Sequence, residues 1–398
     1  MKKILIFSHA MEIGGAERAL LGLLETIDTT KYQVDLFLMR HTGELMPYIP
    51  ENIRLLPESR AYSCMAVPFG NVLKRGMVGV AAGRYLGKRA AAKRVRELNL
   101  SGENDVALEY SHKYTLPVMP MVSQTEYDLA ISFLTPHYYV AKKVRAKKKI
   151  AWIHTDYATV SVDRESQVNM WDAYDYIASI SGSVTKSFLS VFPELEKRML
   201  YLPNIMPTRY MAELANAFVP ETEMPVDGAI KLLSVGRFCS AKNFDNVPDI
   251  CRRLRDLGLN VKWYLIGYGG DEGLIRGKIA EAGMQDFVVI LGKRENPYPY
   301  MKACDLYIQP SRYEGKCVSV VEAQILHKPV VITAYATSAS QLRSGYDGAI
   351  VPIDNKGCAQ GIAAVIRDEA LRERLIENTK QNDYTNSGEV KKLYQLMG

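Results

Sequence analysis

The chain has 398 residues, more than one compact core accommodates, so two domains of roughly 200 residues each are expected. Its 47% apolar and 24% charged residues are ordinary for a water-soluble globular protein, and no uncharged apolar run is long enough to span a bilayer. The net charge of +6 suggests an anionic partner without saying which. The six cysteines (Cys64, Cys239, Cys251, Cys304, Cys317 and Cys358) show no paired spacing of the kind that marks a zinc site or a disulfide framework.

The opening "MKKILIFSHAMEIGGAE" has a basic end and an apolar stretch but no small-residue cleavage site. "KILIFS" therefore reads as a buried first strand, and secretion is not expected. The turn "AMEIGGAE", the helix-like "RALLGLLETI" and the strand "YQVDLFLM" follow at once. This alternation is the mark of a parallel sheet with crossover helices. Further strands are expected at "YDLAISFL", "KKIAWIH", "DYIASIS" and "RMLYLPN". From Met206 to about Gly228 the signal fades into "PETEMPVDG", rich in proline and acids, which reads as a linker. A second alternation then runs through "KLLSVG", "NVKWYLIG", "DFVVILG", "CDLYIQPS", "KPVVIT" and "GAIVPI". Two doubly wound α/β domains follow, with ligands expected beyond the carboxyl ends of the strands.

Three stretches of the second half hold residues suited to chemistry. In "SVGRFCSAKN", Arg237 and Lys242 follow a strand, where a diphosphate would find charge; solvated loop cations fit as well. The glycines of "IGYGGDEGLI" depart from a dinucleotide fingerprint and suit a tight turn or a close backbone approach. In "SRYEGKCVSVVEA", Glu314 stands at the end of a strand and Glu322 about 12 Å farther along the following helix. Gly315 allows close approach, and amides near Lys316 and Cys317 open a helix N-terminus that suits phosphate. A capping acid at Glu314 and a surface acid at Glu322 are the plainer alternative.

Taken together, "GGAE" (Gly14 to Glu17), Pro203–Asn204, "VGRFCSAKN", "NPYPYMKACDLYIQPSRYEG" and the paired glutamates resemble glycosyltransferase family 4 in order and spacing over nearly the whole chain. The resemblance implies retaining enzymes of GT-B fold, with two Rossmann-like domains facing each other across a deep cleft. It implies an acceptor-binding domain at 1–206, a linker at 207–228 and a donor-binding domain at 229–379. A C-terminal helix at about 380–398 would pack back onto the first domain. Glu314 would approach the donor sugar, and Glu322 the ribose hydroxyls. Arg237 and Lys242 would hold the diphosphate and stabilise it as it leaves, with the amides of Gly315, Lys316 and Cys317 around it. Gly14 and Gly15 would line the acceptor side.

His154, in "AWIHTDY", would stand beside the donor sugar and act in catalysis; a strand-end histidine with local hydrogen bonds is the alternative, and Asp156 is a weaker neighbour. No Asp-x-Asp pair is present, so the resemblance implies neither metal nor cofactor. Two departures, Lys316–Cys317 after "EG" and Ser340 where many members carry a glutamate, leave the donor sugar open. By family tendency the nucleotide is UDP. A nucleotide-sugar epimerase of the same fold and a catalytically silent subunit are the rival readings.

Two basic stretches, Lys74 to Leu98 and Lys142 to Lys149, suit an enzyme working on lipid-linked saccharides at an anionic membrane face in surface polysaccharide assembly. The expected location is cytoplasmic, peripheral at the inner face of the cell membrane. No nucleic-acid recognition motif surrounds the charge.

Overall fold

The computed structural model describes the chain except residues 101–104, 156, 158, 159, 315 and 316. The chain forms two compact units, Met1–Pro207 with Asn386–Gly398, and Thr208–Thr385.

The first unit is built on a seven-stranded parallel sheet. Its strands are β1 (Lys2–Ser8), β2 (Tyr32–Leu38), β3 (Arg54–Leu55), β4 (Glu126–Ser132), β5 (Arg145–Ile153), β6 (Tyr176–Ser179) and β7 (Met199–Tyr201), in the order β3-β2-β1-β4-β5-β6-β7. The central strands carry unbroken buried runs because helices cover both faces; Ile4 to Phe7 and Ile150 to Ile153 are essentially inaccessible to water. Order reverses between β1 and β4, which puts a topological switch point at their carboxyl ends. The C-terminal helix Val390–Leu396 closes this unit. Tyr394 stacks on Tyr32 at 4.3 Å and accepts from the Asp28 N–H at 2.8 Å. Lys392 Nζ donates to the Tyr201 carbonyl at 2.9 Å.

The basic stretch after Lys74 forms the helix Val78–Glu97, and its buried face is a seam of Gly83, Gly87 and Ala91. A Cβ on Gly87 would stand 2.6 Å from the Tyr110 carbonyl oxygen, and one on Gly83 2.8 Å from that of Tyr114. The seam thus brings the backbone of helix Val106–Thr115 into direct contact. Packing through glycine leaves the large side chains, Tyr85, Leu86, Lys88, Arg89, Lys93 and Arg96, on the exposed face.

The second basic stretch behaves differently. It enters β5, where Lys147 pairs with Asp128 at 2.8 Å, Lys148 pairs with Asp175 at 3.0 Å, and half-buried Lys149 donates to the Ala141 carbonyl. Strand alternation directs these cations to partners, so this run is not a free basic surface.

The second unit has six parallel strands, β8 (Ile230–Val235), β9 (Val261–Ile266), β10 (Val288–Gly292), β11 (Leu306–Gln309), β12 (Val330–Thr333) and β13 (Ala349–Val351). Their order is β10-β9-β8-β11-β12-β13, with the switch point between β8 and β11. The stretch 207–228, a linker by composition, begins with the helix Thr208–Ala215 and packs onto this unit. Tyr210 meets Tyr298 edge to face, Asn296 donates to the Leu214 carbonyl at 2.9 Å, and Glu223 is held by Arg294 and the Tyr300 hydroxyl. Glu223, and Asp227 through Lys262, are thus spent on specific partners, which composition alone does not show.

Candidate functional site

At the carboxyl end of β8, the loop from Gly236 to Asn243 lies against two others. A Cβ on Gly267 would fall 1.9 Å from the Gly236 carbonyl oxygen, and one on Gly269 2.2 Å from that of Phe238. The glycines of "IGYGG" therefore serve a backbone–backbone contact that shapes the loop carrying Arg237. On its other side Arg312 grips Asp245 with two nitrogens at 2.8 and 2.7 Å. Its N–H donates to the Ala241 carbonyl at 2.8 Å. Buried Asn243, in the left-handed region at φ 61°, ties the two loops together through the Pro310 carbonyl at 2.9 Å.

These ties bring Lys242 Nζ to 2.5 Å from Glu314 Oε1 and 3.8 Å from Cys317 Sγ. The pair is largely shielded, with side-chain exposures of 18% and 11%. Burial alone would lower the Lys242 pKa, but the Cys317 sulfur and Glu314 outweigh it and raise it above the usual lysine value. Ser311 Oγ also donates to Glu314 Oε1 at 2.6 Å. Behind it Gln309 Nε2 donates to Ser311 Oγ at 3.0 Å, and the Tyr307 hydroxyl to Gln309 Oε1 at 2.9 Å. A polar chain thus anchors Glu314 to the buried strand, and the carboxylate is an ion-pair partner rather than a helix cap. Arg237 is exposed and makes no ion pair among the described residues.

Glu322 lies on the helix Val318–Ile325 and is 4% exposed, with Oε1 accepting from the Tyr298 hydroxyl at 2.9 Å. A surface acid it is not. Cys317 occupies the N-cap of that helix and is buried; burial pushes its thiol pKa up although Lys242 pulls it down. Its N–H, one of the donors expected to meet phosphate, donates to Gln341 Oε1 at 2.8 Å. Thr337 Oγ1 donates to the Glu314 carbonyl at 2.7 Å, and exposed Ser340 closes on its own turn through the Thr337 carbonyl. Gly315 and Lys316 lie outside the described residues, as does Asp156. The sequence reading noted Ser340 and missed its neighbour Gln341, whose contact spans 24 positions and has no local signature.

In the first unit Gly14 is the extended N-cap of helix Gly15–Thr26, and a Cβ there would collide with the folded-back Glu17 carboxylate; Gly15 faces open space. His154 follows β5 and rests on Phe133 at 4.6 Å and Trp152 at 6.0 Å. Both its ring nitrogens are buried and make no well-formed hydrogen bond among the described residues, although the Phe133 backbone is near enough to act on the ring. Burial lowers its pKa to about 4, only partly opposed by the Phe133 backbone.

Three further imidazoles with buried ring nitrogens share this edge of the sheet. His9 follows β1, His137 follows β4, and His112 stacks on Tyr139 at 4.6 Å. Each has a ring nitrogen without a partner among the described residues. Their positions just past central strands are a sequence signal that could have marked His9 and His137. No group of three or more histidine, cysteine or acidic side chains among the described residues is arranged to hold a metal ion.

Residues 221–382 match the family described as glycosyl transferases group 1, so the second unit carries a domain of that family. Curated relatives agree. LpsE, a lipopolysaccharide core biosynthesis glycosyltransferase of Rhizobium meliloti, is 27% identical over 156 residues, 39% of this chain and 44% of its own. An N-acetylgalactosaminyltransferase of Campylobacter jejuni, acting on N-acetylgalactosamine-N,N'-diacetylbacillosaminyl-diphospho-undecaprenol by its name, is 28% identical over 151 residues, 37% and 40% of the two chains. The chain thus spans less than half the length of these relatives. Among solved structures, Anabaena HepE in complex with UDP and glucose has a TM-score of 0.60 at 16% identity, covering 99% of this chain and 100% of that one. TarM aligns with a TM-score of 0.62 at 11% identity, covering 100% and 99%. The fold of this chain is therefore GT-B, with two Rossmann-like parallel-sheet domains.

Proposed function

We propose that the protein is a retaining glycosyltransferase of family 4. It moves a sugar from a nucleotide-diphosphate donor, UDP-linked, to a saccharide or lipid-linked saccharide in surface polysaccharide assembly. The observation that carries this reading is the shielded Lys242–Glu314 pair at the carboxyl end of β8 and β11, inside the matched domain. As the glycosidic bond lengthens, the departing diphosphate gains negative charge. Lys242 and Arg237, held in the loop after β8, would stabilise that charge without a metal. Glu314, anchored by Ser311, would meet donor-sugar hydroxyls. Glu322 would hold the ribose, and neutral His154 would offer a hydrogen bond without adding charge.

Titrating the protein with UDP, GDP and ADP by calorimetry tests the donor side. UDP should bind selectively, and Glu322→Gln, which keeps an acceptor for Tyr298, should weaken it about tenfold, the loss of one charge-assisted hydrogen bond. Equal UDP affinity in the variant would remove the ribose assignment. No nucleotide binding at all would bring the silent-subunit reading forward.

For the acceptor side, the exposed face of helix Val78–Glu97 combines Tyr85 and Leu86 with Lys88, Arg89, Lys93 and Arg96. This supports peripheral docking on an anionic lipid surface. No helix among the described residues is long and apolar enough to cross a membrane. Changing Lys88, Arg89 and Lys93 to Gln should reduce cosedimentation with phosphatidylglycerol vesicles about a hundredfold, at roughly 1 kcal/mol per cation. Unchanged sedimentation would sink the docking.

A further inference from the structure

The Cys317 N–H opens the helix Val318–Ile325 beside the Lys242 ammonium, and it is already engaged by a side chain from another loop. Gln341 ends the short helix Ser338–Gln341 after β12. Its Oε1 accepts from Cys317 N at 2.8 Å, and its Nε2 reaches back toward the Cys317 carbonyl oxygen at 3.4 Å. We propose that Gln341 is a displaceable latch, whose carboxamide oxygen occupies the place of a ligand phosphate oxygen and so favours anionic over neutral ligands at this amide. The inference rests on the nucleotide-diphosphate reading above.

Four observations carry it. Cys317 is 2% exposed with Gln341 in place, so its N–H relies on the Gln341 carboxamide, or on a ligand oxygen that takes its place, for a partner. Gln341 itself is only half-buried, so release returns rotamer freedom to a long side chain. A hydrogen bond to a charged oxygen is roughly twice as strong as one to a neutral oxygen. A diphosphate can therefore displace the carboxamide, whereas a neutral hydroxyl gains nothing by the exchange. Release also leaves the loop in place, because Thr337 holds the Glu314 carbonyl independently at 2.7 Å and Lys242 holds the Glu314 carboxylate. The Tyr335 hydroxyl, in the same loop as Gln341 and within electrostatic reach of Glu314 and Cys317, is buried without a partner among the described residues. A second polar group at this spot thus awaits an acceptor or donor that the described residues do not supply.

The test uses the full chain labelled with ¹⁵N-cysteine, the Cys317 amide being assigned with Cys317→Ser. UDP and inorganic pyrophosphate should both shift that amide, while uridine should not. By calorimetry Gln341→Ala and the volume-conserving Gln341→Met should bind UDP about five- to tenfold more tightly, since no latch opposes the phosphate. Gln341→Glu should bind it about tenfold more weakly, because a carboxylate accepts more strongly and repels the diphosphate. Uridine affinity should be the same in all four proteins. Weaker UDP binding in Ala, Met and Glu variants alike would make Gln341 a structural clamp and overturn the latch. So would a Cys317 amide that stays still while calorimetry shows UDP bound. Were the wild type to bind no UDP, the donor reading would fall, and pyrophosphate would decide the latch alone: a shift at Cys317 keeps it, and none removes it.

Discussion

The carboxyl edges of the two sheets occupy equivalent places in their folds and solve the problem of a polar site in opposite ways. In the second unit the edge is charged and internally paired: Lys242 with Glu314, Arg312 with Asp245, Cys317 with Gln341. In the first unit it is dominated by neutral imidazoles, each with a ring nitrogen unpartnered among the described residues, while Arg40 pairs with Glu12 beside them at 3.0 Å. Five of the six histidines belong to that unit. Besides His41, four of them, His9, His112, His137 and His154, have buried ring nitrogens without partners among the described residues. The His9 and His112 rings are 5.9 Å apart. Burial lowers the pKa of all four, so at neutral pH they are neutral groups able both to donate and to accept. A parallel sheet therefore fixes where a site lies and leaves its chemistry to the loops. Charge held in pairs suits an anion that can displace one partner. Neutral imidazoles suit hydroxyls.

The comparison breaks most visibly if Lys242 proves dispensable. Lys242→Met leaves the Glu314 carboxylate shielded, with the Ser311 hydroxyl at 2.6 Å as its remaining side-chain partner among the described residues, and removing one partner of a largely buried pair costs about 3 kcal/mol. Urea unfolding should record that loss. Hydrogen-exchange mass spectrometry should confine it to peptides of β8, β11 and the helix Val318–Ile325. Adding Glu314→Gln should restore most of the stability, because the orphaned charge is gone. UDP binding should stay weak in the double variant, since the cation is still missing. If the single and double variants are equally stable, the pair is not the organising contact of this edge.

Much of this architecture was legible in residue order. "KILIFS" and "CDLYIQPS" read as buried strands, and Glu314, Glu322 and Lys242 fell at strand ends or on the following helix, where the switch-point rule looks for them. What the sequence could not show was who pairs with whom. Lys242 and Glu314 are 72 positions apart, and Cys317 meets Gln341 across a different loop. Composition also overstated the free charge. "KKVRAKKK" looks like a basic patch until strand alternation sends Lys147 and Lys148 to Asp128 and Asp175. The glycines of the helix Val78–Glu97 hid in a run that reads as merely basic, although a repeat every four residues is a helix seam once a partner helix is known.

The smaller effect concerns the neutral edge, and its sign follows from the direction of the shifts. Burial, with Arg40 adding to it at His9, holds His9 and His154 at about 4, below the ordinary histidine value near 6.5. As pH falls from about 6.5 toward 4, the unfolded chain takes up protons on these rings while the folded one does not. Stability is therefore lost on acidification over that window, at about 1.4 kcal/mol per pH unit for each histidine. Above it, the rings make no difference. Urea midpoints at pH 7, 6 and 5 should fall in wild type. The fall should be shallower in His154→Phe, whatever that change does to stability at pH 7. Exchange should accelerate first in peptides of β1, β4 and β5, with the second unit lagging because its one histidine, His327, is exposed and its pKa, though lowered by desolvation and Lys380, is the single such contribution there. A His154→Phe chain that loses stability on acidification as steeply as wild type would mean that His154 already carries its proton in the fold. The contrast between a charged and a neutral edge would then fail at that residue.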